Sequence, residues 1–188
     1  MLHERKFRQP EIKHIYFIEI LKMEYSTGTK LDAIDLLLLD ALQQDSSLSN
    51  QSLAERAHIS PPTCLRRVKR LVEDGVIERQ IAILSADRLA HLLGHGLQAI
   101  VEITLERQGE EALTAFEQRV VQDGAVQQCY RVSPGPDFVL IVQTRDMPDY
   151  LALTQRLFTS DANVRNVKTY FSTKRGKFGA QIPLPSKP

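Results

Sequence analysis

Four cations, Arg66, Arg67, Lys69 and Arg70, fall within five consecutive positions of this chain, and no acidic residue interrupts the run from Ser60 until Glu73. Cations clustered in this way neutralise phosphates, release condensed counterions and make affinity salt-dependent. Arg66 and Arg70 stand one helical turn apart, so both can enter one groove of a duplex and meet base edges there. Ser60 can hold a phosphate at the positive end of the same helix. The candidate contacts to double-stranded DNA are therefore Ser60, Pro62, Thr63, Arg66, Arg67, Lys69 and Arg70. The whole chain carries 24 Lys+Arg against 23 Asp+Glu, so nothing global drives it onto a polyanion and the local cluster must do so. For the charge run alone, a solvated basic face on a surface helix is the alternative.

Other reactive residue types do not assemble into a site. The 2 cysteines have no C-x-x-C spacing, which argues against a zinc site or a disulfide framework, and suits a reducing cytoplasm. Cys64 lies beside an apolar helix face and Cys129 within a strand pattern, so both read as packed residues. His91 and His95 are at i, i+4, but no carboxylate cluster or third ligand stands near them. No catalytic set, cofactor site or metal site is read from the chain.

The elements that position the cations can be traced outward from them. Asn50 is a good N-cap for a short helix whose Leu53, Ala54 and Ala57 form a buried stripe. His58 and Ile59 make a tight turn, after which the Ser60 hydroxyl can cap a second helix with Pro61 at its first position. Leu65, Val68, Leu71 and Val72 share that helix's expected buried face, and Gly75 sits where positive φ is needed at its end. Val76 to Ile83 then alternates as an extended segment, giving the order helix, turn, helix, strand of a winged helix-turn-helix. Upstream, Asp32 caps a helix over Leu31 to Gln44 in which Ile34, Leu37, Leu38, Ala41 and Leu42 supply the third helix of the core.

At 188 residues, with 43% hydrophobic and 25% charged, the chain can fold as two small domains. Its densest apolar run, Leu36 to Leu39, is far short of the roughly 20 residues a bilayer needs, so no membrane is expected as a partner. Residues 1–29 read as an extension of mixed charge without a cleavage site; Met23 is an alternative start, and a short amphipathic helix is the competing reading.

Beyond the expected wing the period changes. Leu97 to Leu105 alternates as a strand, Glu110 to Gln122 is helical, Val126 to Ser133 alternates, and Pro134 to Pro136 forces a turn. Phe138 to Thr144 is an apolar strand, Asp146, Met147 and Pro148 open a helix, and Val164 to Thr173 is a fourth strand. The order βαββαβ predicts a ferredoxin-like four-stranded antiparallel sheet with two helices on one face. The other face, rich in aliphatics, predicts a dimer. The fold class is α+β, with residues 30–84 the winged helix-turn-helix, 85–96 a linker, 97–176 the ferredoxin-like domain and 177–188 a tail.

Leu31-Asp32-Ala33-Ile34-Asp35, the Ser60 to Leu71 helix, Gly75-Val76-Ile77 and Val101-Glu102-Ile103-Thr104-Leu105 resemble the leucine-responsive and asparagine regulator (Lrp/AsnC) family from roughly Leu31 to Phe171. The resemblance implies a bacterial or archaeal transcription regulator of amino-acid metabolism. Its C-terminal domain would dimerise, assemble further to a tetramer or octamer, and sense an amino acid. It also implies phosphate contact at Arg67, helix termination at Gly75, and groove contact at Thr63, Arg66 and Arg70.

Family members carry Ser/Thr-Gly-x-x-Asp between the second and third strands, where backbone groups hold the effector. Here the turn is Ser133-Pro134-Gly135-Pro136-Asp137, with the glycine displaced by one and flanked by prolines. Proline fixes φ and removes an N–H that a carboxylate could use. Val132, Ser133, Pro134, Gly135 and Asp137 are the candidate effector contacts, Asp137 orienting the amino group; a purely structural turn is the alternative. The rival class is a sirohaem-type tetrapyrrole decarboxylase of the same architecture, for which His91 and His95 would be the residues to watch.

Overall fold

The computed structural model describes residues 30–94 and 96–185. The readings placed on residues 1–29 and on His95 lie outside them. The described residues divide into two compact units, one of residues 30–81 with 180–185 and one of residues 82–94 with 96–179.

In the first unit, α1 spans Ala33–Gln44, α2 Asn50–Arg56 and α3 Pro61–Glu73. Asp32 starts α1 through a reciprocal capping box: its carboxylate accepts from Ile34 N and Asp35 N, while Asp35 accepts from Asp32 N. Leu38, Ala41, Leu53, Ala54, Ala57 and Cys64 form the core, with Ile34, Leu42, Leu48, Ile59 and Val68 against it. The residue capping α2 is Ser49 rather than the expected Asn50. Asn50 is freed from capping to donate through Nδ2 to Pro61 O at 2.9 Å, tying the start of α2 to the first turn of α3. The turn between them needs φ +54° at His58, and Gly75, at φ +70° just past α3, takes the left-handed conformation expected of it.

Two further expectations for this unit are corrected. Leu65 and Val72 are exposed, at 61% and 48%. The inward line of α3 is instead Cys64, Val68 and Leu71, with Arg67 turned toward α1. The segment from Val76 to Ile83 forms no strand, because no other strand among the described residues pairs with it, and Ile81 and Ile83 stay exposed. The C-terminal tail reaches α1: the Gln43 side chain accepts from Ile182 N at 2.6 Å and donates to Ile182 O at 3.2 Å.

In the second unit, the stretch read as a linker holds helix α4, Ala86–Leu93, capped by the Ser85 hydroxyl and ended by Gly94 at φ +71°. There follow β1 (Leu97–Leu105), α5 (Glu110–Val120), β2 (Val126–Arg131), β3 (Phe138–Thr144), α6 (Met147–Thr154) and β4 (Val164–Phe171). A π-helical turn, Gln155–Thr159, prolongs α6. The antiparallel strands lie in the order β2-β3-β1-β4, as the βαββαβ pattern requires. Ala99, Val101, Ile103 and Leu105 of β1 and Phe138, Leu140 and Val142 of β3 pack with Phe116, Val120, Tyr150, Leu153, Leu157 and Phe158 of the helical layer. The opposite face carries cross-strand rows such as Gln128, Ile141, Ile100, Tyr170 and Tyr130, Val139, Glu102, Lys168. Ile100, Tyr130 and Tyr170 are exposed there.

Candidate nucleic-acid interface and effector turn

The outward surface of α3 is set by its helical period. Pro62, Arg66 and Lys69 follow one another at i, i+4, i+7, all exposed, with half-buried Thr63 beside them. Arg66 has no ion-pair or side-chain hydrogen-bond partner among the described residues. Lys69 approaches Glu73 only at 3.6 Å, with both side chains largely in solvent, so its charge remains available.

The start of α3 offers an anion less than the sequence suggests. Ser60 occupies the N-cap, but its hydroxyl makes no capping bond and meets Thr63 Oγ1 at 2.8 Å. Pro61 and Pro62 have no N–H, so of the first three helical residues only Thr63 brings a backbone donor. That donor and the two hydroxyls are what the turn can present to a phosphate.

Arg67 and Arg70 are placed differently from Arg66. Arg67 Nη1 donates to Asp32 Oδ2 and Asp35 Oδ1, both at 2.8 Å, and Arg70 Nη2 donates to Asp35 Oδ2 at 2.6 Å. The Asp35 carboxylate is wholly buried, while the Arg67 and Arg70 side chains are 21% and 42% exposed. The Asp35 N–H and the Arg67 guanidinium hold the Asp32 carboxyl below its ordinary value, and the Asp32 and Asp35 carboxylates raise Arg67. One edge of each guanidinium is thus committed within the protein. Sequence reasoning missed Asp35, although the signal was there. It occupies the same α1 stripe as Leu38, Leu39 and Leu42, and a carboxylate in an apolar stripe requires a cation opposite it.

In the second unit, Val132 N donates to Asp137 O at 3.1 Å and closes the turn, with Gly135 at φ +130°. Ser133, Pro134 and Gly135 are exposed. Asp137 faces inward: its Oδ2 accepts from Leu105 N at 2.6 Å and from Gln108 Nε2 at 3.2 Å, and its N donates to Ile103 O at 2.8 Å. That carboxylate oxygen fastens the turn to the end of β1, where the sequence reading had it orient an effector's amino group. His91 is exposed on α4, and among the described residues no group of three or more His, Cys, Asp or Glu could hold a metal. No described helix is long and apolar enough to cross a membrane.

A three-helix reading unit followed by a ferredoxin-like domain defines a class of DNA-binding regulator, and comparison with known proteins agrees. Residues 31–78 match the winged helix-turn-helix DNA-binding family, and residues 98–182 match the Lrp/AsnC ligand binding domain. The leucine-responsive regulatory protein of Haemophilus influenzae is 36% identical over 152 residues, 81% of this chain and 89% of that one. The Bkd operon transcriptional regulator of Pseudomonas aeruginosa is 32% identical over 155 residues, 82% of this chain and 99% of that one. Among solved structures, a transcriptional regulator of Neisseria meningitidis in complex with L-Met superposes with a TM-score of 0.70 at 28% identity, covering 82% of this chain and 97% of that one. The chain belongs to the Lrp/AsnC family of DNA-binding transcriptional regulators.

Proposed function

We propose that this protein is a sequence-specific regulator of amino-acid-related genes that reads double-stranded DNA in the cytoplasm through α3, and that an amino acid bound in the ferredoxin-like unit modulates it. It acts by binding and not by turnover. The observation that carries the reading is the exposed Arg66, unpaired among the described residues, beside Pro62, Thr63 and Lys69 on the outward face of a helix that Asn50 braces at its first turn. Arg66 and Arg70 meet base edges, Lys69 and Arg67 meet phosphates, and Ser60 with Thr63 seats the helix end. The open sheet face, with Ile100, Tyr130 and Tyr170 exposed, supports association into a dimer and a higher assembly such as a tetramer or octamer. The L-Met complex of the Neisseria relative supports an amino-acid effector. The exposed backbone of Val132, Ser133, Pro134 and Gly135 would hold its charged ends, with Asp137 shaping the turn.

Selection of bound duplexes from a randomised pool by the wild-type protein tests this reading. A consensus should emerge, and Arg66→Ala should weaken discrimination at one base-pair position by about 1–3 kcal/mol. Lys69→Ala should lower affinity for all sequences alike and flatten the log–log salt slope by about one unit. A pool that stays random would end the reading. A thermal-shift series with the common amino acids, methionine and leucine included, should find at least one that raises the melting temperature. If none does, the turn is structural.

A further inference from the structure

Asp35 is a wholly buried carboxylate in a small three-helix core, and both of its oxygens are spent on side chains of the reading helix. Oδ1 meets Arg67 Nη1 at 2.8 Å and Oδ2 meets Arg70 Nη2 at 2.6 Å, while Oδ2 also accepts from Asp32 N at 3.1 Å. Buried ion clusters are poor sources of stability, because desolvation offsets their attraction and apolar residues of similar volume often do better. This cluster is also under-satisfied: the Nε donors of Arg67 and Arg70 are both buried without a partner among the described residues. An arrangement serving the fold alone would gain by closing those donors or by replacing the ions. What it does achieve is orientation. Each guanidinium is gripped by one terminal nitrogen, and the other, Nη2 of Arg67 and Nη1 of Arg70, has no protein partner among the described residues. Arg70, 42% exposed, is held with Nη2 on Asp35 and its Nε buried, which leaves Nη1 as the part of its fork without a protein partner among the described residues.

We propose that Asp35 is a positioning residue for DNA recognition, which fixes the guanidinium of Arg70, and with Asp32 that of Arg67, in the pose each presents to the duplex. This rests on the proposed reading of DNA by α3. An arginine free in solution must be ordered when it pairs with a base; one already held loses less freedom on binding and rejects a misplaced partner. Asp35 never touches DNA in this account and acts only through the two arginines.

The test uses the full-length protein and the consensus duplex selected by the wild type, with a panel of its single base-pair variants, at a temperature where each protein is shown to be folded. Asp35→Asn keeps the shape and removes the charge that holds the guanidinium. At the base pair read by Arg70, where the wild type should discriminate by about tenfold or more, Asp35→Asn should discriminate by less than about threefold. Discrimination at the Arg66 position should persist. In an Arg70→Ala background, Asp35→Asn should change discrimination there no further, because the two act as one unit. An Asp35→Asn protein that is less heat-stable yet keeps the full wild-type discrimination when folded overturns the proposal. The wild type supplies a second measurement if that variant does not fold. ¹⁵N relaxation of the arginine side chains should show the Arg70 guanidinium ordered and Arg66 mobile before DNA is added; an Arg70 as mobile as Arg66 overturns it equally. A wild type that selects no consensus would refute the DNA reading itself, a failure separate from either of these.

Discussion

Asp137→Ala should destabilise the ferredoxin-like unit before it says anything about effector binding. The carboxylate accepts the backbone N–H of Leu105, a fully buried residue, at 2.6 Å. A hydrogen bond to a charged acceptor contributes about 1.5–3 kcal/mol, and its loss strands a donor that water reaches poorly. The longer bond from Gln108 Nε2, at 3.2 Å and exposed, adds only a few tenths on the same scale. The sum is about 2 kcal/mol. In a unit spanning residues 82–179, each kcal/mol shifts the melting temperature by roughly 4–8 °C, so the transition should drop by roughly 8–16 °C. Asp137→Asn retains an acceptor oxygen and should lose about half as much. Differential scanning calorimetry of the full chain would show the shift in the transition of this unit, with that of the reading unit unmoved. A melting temperature unchanged within about 2 °C for the alanine variant would refute the reasoning, since a loss of about 2 kcal/mol cannot be hidden in a transition of this size.

Two further outcomes concern titration. Burial, with Glu117 adding to it and Arg131 opposing, pushes the Cys129 thiol up to about 11, and burial alone raises Cys64. Near pH 8 Cys129 should alkylate with iodoacetamide roughly tenfold or more slowly than a free thiol, since a scarcer thiolate is only partly offset by its higher nucleophilicity, and Cys64, fully buried, should also react more slowly. Alkylation of the native protein as fast as that of a free thiol would contradict that packing. On the acid side, the Asp35 N–H and Arg67 lower Asp32; burial raises Asp123 and Asp161 but is outweighed at Asp123 by Arg156 and the Ala125 N–H, and at Asp161 by the Asn163 N–H and Arg119. Carboxylates depressed in the folded state stabilise it above their unfolded value of about 3.9 and lose that contribution as pH falls through the folded values. The melting temperature should therefore hold from neutral pH to about 4 and decline below it; a flat profile down to about pH 2 would count against these pairs.

Strand alternation made the second unit legible: β3 runs over the expected Phe138–Thr144, and the sheet order follows from βαββαβ. Errors gathered where local chemistry was degenerate. Ser49 and Asn50 are both good caps, and only the pull of Pro61 O on the Asn50 amide separates them. The eight-residue α4 was hidden in a short stretch although Ser85 and Gly94 bracket it as cap and stop. The strand expected over Val76 to Ile83 is absent for a different reason, since alternation specifies a strand only where a neighbour offers its own N–H and C=O groups. In both candidate sites, the sequence showed which charged residues were present but not which were committed. Arg67, Arg70 and Asp137 look as free as Arg66 until residues 32, 35 and 105, far along the chain, are brought against them.

That commitment bears on how the protein must bind. A lone α3 brings Arg66 and Lys69 freely, and Arg67 and Arg70 by one edge each, so the α3 of one copy neutralises at most four phosphates. At about −0.9 log units of affinity per phosphate per log unit of salt, its slope cannot exceed roughly −4. Purely electrostatic binding of that order is weak at physiological salt. Two joined copies raise the ceiling to roughly −7 and turn the second contact into an intramolecular one. On the proposed reading, the exposed aliphatic and tyrosine rows of the sheet would matter to recognition as much as the cations do: α3 would supply selectivity, and assembly through the other unit the affinity that a single small helix cannot.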